Sequence, residues 1–204
     1  MTILSVESRG AGRERVRVHL SDGSSFIILR EVLDRAALSG SDELSPQQLQ
    51  ELLGRSDQLE AERKALDLLT RSPHSRERLK LKLLKGDFSL SSVKDALACM
   101  EELGYLDDTR FAEDWLRLRI ARHPEGRQSL LAGLLNRGIN ASLATQIVNR
   151  IVTREVEEDC AKRLMEKHSG FRNLPRERLA QRLSSRGFSS TSIRQIIDEA
   201  GGEE

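Results

Sequence analysis

Gly104-Tyr105-Leu106-Asp107-Asp108-Thr109-Arg110-Phe111-Ala112 joins a glycine turn to a new apolar-periodic segment, and it stands at the seam of an internal repeat. To its left, Arg76-Glu77-Arg78-Leu79-x3-Leu83 is followed by Phe88-Ser89. To its right, Arg127-x2-Leu130-x3-Leu134 is followed by Ile139-Asn140, and Arg176-Glu177-Arg178-Leu179-x3-Leu183 by Phe188-Ser189. The three copies begin 51 and 49 residues apart. A period near 50 predicts stacked supersecondary units in an extended array, and such arrays usually grip another macromolecule.

Each copy reads as three helices. The apolar spacing predicts helices over about 60–71, 75–86 and 90–102, then 108–122, 126–137 and 141–153, then 155–168, 175–186 and 190–200. Gly138 and Gly187 end the middle helix of copies two and three, where a left-handed residue is needed; in copy one the glycine slides to Gly86 and leaves Asp87 at the matching place. Ser89, Asn140 and Ser189 are suited to cap the third helices, and Asp107 or Asp108 the helix after Gly104. The core is read from spacing: Leu79, Leu83, Phe88, Val93, Ala96, Leu97 and Met100 recur as Leu130, Leu134, Ile139, Ala144, Ile147, Val148 and Ile151. They recur again as Leu179, Leu183, Phe188, Ile193, Ile196, Ile197 and Ala200.

The N-terminal quarter differs. Val16, Val18 and Leu20 alternate with Arg15, Arg17 and His19, Asp22-Gly23 offers a tight turn, and Phe26-Ile27-Ile28-Leu29 follows, so residues 13–30 predict a hairpin. A short helix is expected over Glu31–Leu38. Another starts at Ser45-Pro46 and continues to Arg71, with Gly54 a place for a break. The expected fold is therefore mainly α: three tandem three-helix repeats (61–107, 108–154 and 155–204) behind a hairpin and helical segment over 1–60.

Hydrophobic residues make up 38% and charged residues 32% of 204, enough for a real core under a densely charged surface. Aromatics are only 3%, with one Trp (Trp115) and one Tyr (Tyr105), which argues against rows of base-stacking side chains. The net charge of +1 hides an asymmetry: 7 Lys/Arg against 10 Asp/Glu over residues 1–60, and 26 against 22 over the rest. Cys99 and Cys160 lie far apart within helical patterns, which points to a reducing cytosol. With no signal-like N-terminus and no run of 18 apolar residues, a cytoplasmic protein without membrane contact is expected.

Nothing in the chain resembles a catalytic or cofactor motif. His19, His74, His123 and His168 fall in separate segments without partners at metal-ligand spacing, and no phosphate loop or nucleophile motif occurs. Asp107-Asp108 reads as a cap and a dipole-complementing charge, and Trp115, Cys99 and Cys160 as core. No enzyme activity, metal or cofactor is expected. The basic residues stand apart. With Leu79 and Leu83 facing inward, Arg78, Lys82 and Lys85 share one flank of their helix; Arg178 and Arg182 occupy it in copy three, with Arg186 at its edge. Copy two has Ser129 and Gly133 there, and only the first position, Arg76, Arg127 and Arg176, is basic throughout. A one-signed stripe on equivalent faces predicts contact with a polyanion or an acidic protein surface. The small residues of copy two would allow close backbone approach to a partner.

Gly104-Tyr105-Leu106-Asp107-Asp108-x2-Phe111-Ala112, Gly126-x3-Leu130-x3-Leu134-x2-Arg137-Gly138-Ile139 and Arg186-Gly187-Phe188-Ser189, in this order, resemble the signatures of the RecX family over essentially the whole chain. The departures are Asp87 and a less distinctive N-terminal segment. The resemblance implies a non-enzymatic regulator that binds RecA and its filaments on DNA and depresses ATP hydrolysis, strand exchange and co-protease activity, with some affinity for DNA. It is expected to act as a monomer. A stand-alone DNA-binding protein of helix-turn-helix-like repeats is the competing reading. The near-neutral charge and the lack of a repeated recognition helix weigh against it.

Overall fold

Strand alternation at Val16, Val18 and Leu20 puts three apolar side chains on one face, and all three are buried. The computed structural model, which describes residues 1–9, 14–167, 171 and 174–200 and the side chains of these up to 198, pairs β2 (Arg15–Leu20) with β3 (Ser25–Leu29) in antiparallel register. Gly23 takes φ +82° in the turn between them. There the Asp22 carboxylate accepts the Ser24 N–H at 2.9 Å and hydroxyl at 2.6 Å, an Asx-type turn, and these two bonds hold its carboxyl below the ordinary range. A third strand, β1 (Ile3–Arg9), adds to β2 and gives the sheet the order β1-β2-β3. Its register shifts between Ile3 and Ser5, so Ile3 and Val6, three apart in sequence, both turn to the core.

The sheet packs on α1 (Arg30–Arg35) and on the first half of α2 (Pro46–Arg71) through Val32, Leu33, Leu49, Leu52 and Leu59. Ser45 and Gln48 form a reciprocal capping box at the start of α2. The helix runs unbroken through Gly54, correcting the break allowed there. Neighbours on both sides propagate the ladder, and the glycine costs only backbone entropy on an exposed face. The second half of α2 turns Ala61, Ala65, Leu68 and Leu69 to a different core, shared with α3 (Arg76–Leu84) and α4 (Leu90–Glu102).

Two further triplets follow: α5 (Asp108–Arg122), α6 (Arg127–Leu135) and α7 (Ala141–Ile151), then α8 (Arg154–Lys167), α9 (Arg176–Ser185) and α10 (Ser190–Ala200). The expected end of α8 at His168 and the side chain of Ala200 lie outside the described residues. Every other residue expected in the three repeat cores is buried or packed against its cluster. Ser89, Asp107 and Asn140 each accept backbone N–H groups of the helix they precede. Asp87, Gly138 and Gly187 all take positive φ, at 62°, 80° and 82°. By contacts the chain divides into two compact units, one of residues 1–72 and 79–106 and one of residues 73–78 and 107–204. Among the described residues no helix is long and apolar enough to cross a membrane.

Candidate interaction surface

The middle helix of each repeat begins with arginine, and the structure shows what that position does. The Arg76 N–H donates to the Asp108 carboxylate at 2.8 Å, and the Arg127 N–H to Glu157 at 3.0 Å. Each carboxylate comes from the first helix of the following repeat, where it answers the positive end of the middle helix's dipole. Glu157 is 2% exposed and also accepts the Ser189 N–H (3.1 Å), the Ser189 hydroxyl (3.1 Å) and the Ser192 hydroxyl (2.7 Å). Burial pushes its carboxyl upward, but the Ser192 hydroxyl, the two backbone N–H groups and the Ser189 hydroxyl outweigh burial and hold it below the ordinary range. Asp57, the equivalent residue of the first repeat, accepts the Ser89 N–H at 3.0 Å and is held low in the same way against burial.

A glycine turn completes each joint. The Gly126 and Gln128 N–H groups donate to the carbonyls of Arg186 and Gly187 at 3.0 and 2.9 Å, and a Cβ on Gly187 would stand 2.8 Å from the Ser129 Cβ. One turn earlier in the array, the Ser75 hydroxyl donates to the Arg137 carbonyl, and a Cβ on Gly138 would meet the Glu77 Cβ at 2.7 Å. Two arginine heads at the first position are turned inward on their own repeat. The Arg127 guanidinium donates to Asn149 at 2.6 Å and to the Val152 carbonyl, and that of Arg176 to the Ile197 carbonyl at 3.2 Å. Both brace the C-terminal end of a third helix.

The remaining basic candidates are dispersed. Arg78 groups with the second unit, whereas Lys82 and Lys85 group with the first. Arg78 is exposed and donates to the Asn136 carbonyl at 2.7 Å, closing the end of α6. Arg178 and Arg182 share the exposed flank of α9, and the Arg182 guanidinium lies 5.6 Å from the Phe171 ring centre. Lys85, Arg178 and Arg186 are exposed and have no side-chain partner among the described residues.

A concentration of charge that the repeat alignment did not single out lies in the middle repeat. Gly133 is small because the Trp115 ring lies on it, and a Cβ there would overlap the indole. The space is filled from within, so it gives no close approach to a partner's backbone. Trp115 packs against its repeat's core with one edge and carries the Arg137 guanidinium 4.3 Å from its ring centre. Arg137 Nη1 donates to the Gly133 carbonyl at 2.9 Å. Burial, then the neighbouring charges of Arg119 and Arg78, lower the Arg137 pKa. Arg119 is paired, its Nε and Nη2 donating to the two oxygens of the Glu125 carboxylate. No signal of period or composition could have joined these residues, because they come from α3, α5 and the turn after α6.

No protein-family model matches the chain. Regulatory protein RecX of Treponema pallidum (strain Nichols) is 35% identical over 140 residues, which is 68% of this chain and 84% of that protein. The protein of the same name from Clostridium acetobutylicum is 21% identical over 211 residues, covering 99% of this chain and 97% of its own. A crystal structure of regulatory protein RecX superposes with a TM-score of 0.74 at 25% identity, covering 97% of this chain and 98% of the other. The fold is also that of RecX from Lactobacillus salivarius, with a TM-score of 0.64, 20% identity, and coverage of 71% of this chain and 97% of the other.

Proposed function

The chain belongs to the RecX family of regulatory proteins, and from that premise we propose that it binds RecA and its filaments on DNA and depresses their ATP hydrolysis, strand exchange and co-protease activity. The observation that carries this reading is the repeat joint. Asp108 and Glu157, each borne by the first helix of one repeat, hold the middle helix of the repeat before it. The same carboxylate-to-helix-start contact recurs at both joints, and a recurring contact suits a partner that is itself repetitive. The exposed heads of Arg78, Lys82, Lys85, Arg178, Arg182 and Arg186 supply charge for DNA phosphate or an acidic filament surface, while Arg127 and Arg176 hold their repeats in shape. Arg76 presents its backbone to the joint. The protein works without catalysis of its own, in the cytoplasm, as a monomer.

Titrating the protein into RecA on single-stranded DNA, with ATPase rate and filament length followed together, tests this. The reading expects both to fall at near-equal or lower ratios to RecA. An unchanged ATPase at a threefold excess, or nucleotide hydrolysis by the purified protein itself, would sink it.

A further inference from the structure

On α5, steps of 100° place Trp115, Arg119 and Arg122 on one stripe at i, i+4 and i+7, a row about 10 Å long. Arg137 lies on Trp115 at one end of that row, and Arg78 reaches the carbonyl of Asn136, the residue beside Arg137. Of the acids of α5, Glu113 and Asp114 lie on other faces, where they pair with Arg117 and Arg150, while Asp108 begins the same stripe two turns before Trp115 and accepts the Arg76 N–H. Among the described residues Glu125 is the one carboxylate bonded to the row, and it is taken by Arg119. Arg78 and Arg137 are satisfied by carbonyls and a ring, which leave their charge intact, and Arg122 is exposed with no side-chain partner among the described residues.

We propose that Arg78, Arg119, Arg122 and Arg137, gathered around Trp115 in the second unit, form a binding surface for the phosphodiester backbone of a nucleic-acid strand. Three features select that ligand. Four guanidinium groups gathered from α3, α5 and the turn after α6, with Glu125 the one carboxylate bonded to them among the described residues, match an anion whose charges recur along a line; a single acidic side chain would answer only one of them. Guanidinium forks suit phosphate oxygens two at a time, and a fork stacked on indole is already oriented, so less freedom is lost on binding. The face of Trp115 is covered by Arg137, which removes base stacking and leaves contact with backbone alone, tolerant of sequence. Burial first, and then the neighbouring charges of Arg119 and Arg78, lower the Arg137 pKa, and an incoming phosphate would offset both. The surface deepens the filament reading by naming a contact to the strand itself, and it stands or falls without the recombinase.

The test uses the full chain alone with fluorescent oligo(dT), binding being followed by anisotropy from about 25 to 200 mM salt. Removing one cation that meets a phosphate of a single strand lowers the salt slope by about 0.7. Arg122→Ala and Arg78→Ala are expected to flatten the slope by about that much each and weaken binding several-fold, and together by about twice as much. The Arg122 side chain makes no bond among the described residues, so its loss is read free of misfolding, and Arg122→Lys restores the slope. Lys94→Ala, in the other unit, leaves affinity and slope unchanged. A double variant that matches the parent at every salt concentration overturns the proposal, as does a Lys94→Ala effect of equal size. Binding of poly-glutamate in preference to oligo(dT), abolished in the same variants, would mean that the surface takes an acidic protein and that the nucleic-acid assignment is wrong. Since RecA is absent, failure here leaves the regulator reading standing, and the reverse holds too.

Discussion

Replacing Glu157 by Gln isolates the charge at the joint between the second and third repeats. One carboxylate oxygen accepts two backbone N–H groups, of Arg127 and Ser189, and the other accepts the hydroxyls of Ser189 and Ser192. An amide of the same shape can keep its oxygen on the two N–H groups and turn its NH2 toward the hydroxyls, which rotate to accept. What is lost is charge assistance, worth about 1 kcal/mol for each N–H bond and less at the adaptable hydroxyls, so about 2 kcal/mol in all. Glu157→Ala, which strands two buried N–H groups, is expected to cost about 3–5 kcal/mol. The sign with pH follows from the depressed carboxyl. Its contribution is full above the unfolded value of 4.5 and is lost as pH falls through the lower folded value, so the gap between Glu157 and Gln narrows only in acid. Trp115 is the single tryptophan and lies in the same unit, so urea titration followed by its fluorescence reads this joint. A Gln variant within about 0.5 kcal/mol of the parent at pH 7, or a gap that persists undiminished to pH 3, would refute the reasoning.

Gly187→Ala is expected to destabilise by about 3 kcal/mol or more in urea, since it adds left-handed strain of about 1–2 kcal/mol to an overlap with Ser129. Gly23→Ala, with the same φ of +82° and nothing within 4 Å of the added carbon, is expected to cost only the strain; equal losses would show that the joint tolerates a methyl group. Gly133→Ala should push Trp115 out from under Arg137, seen as a red-shifted emission spectrum and increased quenching by acrylamide, and an unshifted spectrum would count against the packing. Gly54→Ala, on an open helix face, should stabilise the first unit by about 1 kcal/mol by hydrogen exchange, a gain that a hidden contact at Gly54 would abolish.

The helices and their cores were legible because each repeat states the same pattern with different letters. Leu83, Leu134 and Leu183 are all 0% exposed, and a residue that is apolar in three registers at once has little else to do. β1 was not legible, because the irregular register at Ile3 and Ser5 breaks the alternation by which strands are recognised. The basic flank was legible as a pattern but not as an environment. Period shows which residues face outward; it does not show that Arg127 folds back on Val152, or that Arg78 and Lys82 group with different units. The cluster around Trp115 was out of reach for a related reason. Arg137 appears in the sequence only as the residue before a glycine, and its role depends on an indole 22 positions earlier.

The departures from strict repetition follow from which neighbour docks where. Asp57, Asp108 and Glu157 are equivalent by position, but only Asp108 and Glu157 have a preceding middle helix to hold, and Glu157 is the most deeply buried of the three. Asp87, Gly138 and Gly187 share a left-handed backbone, and glycine is kept at the two turns against which an earlier middle helix is pressed. No repeat precedes the first, so its turn is exposed and a residue with a side chain serves there at a modest cost in strain. The opposite end shows the complementary change. Ser75 and Gly126 both touch the turn of the next repeat, the one through its hydroxyl and the other through its N–H, whereas the equivalent Pro175 has no N–H to give. Asp87 and Pro175 are thus the positions where the first and third repeats leave the common pattern, and what recurs at Asp108 and Glu157 is the chemistry of the joint.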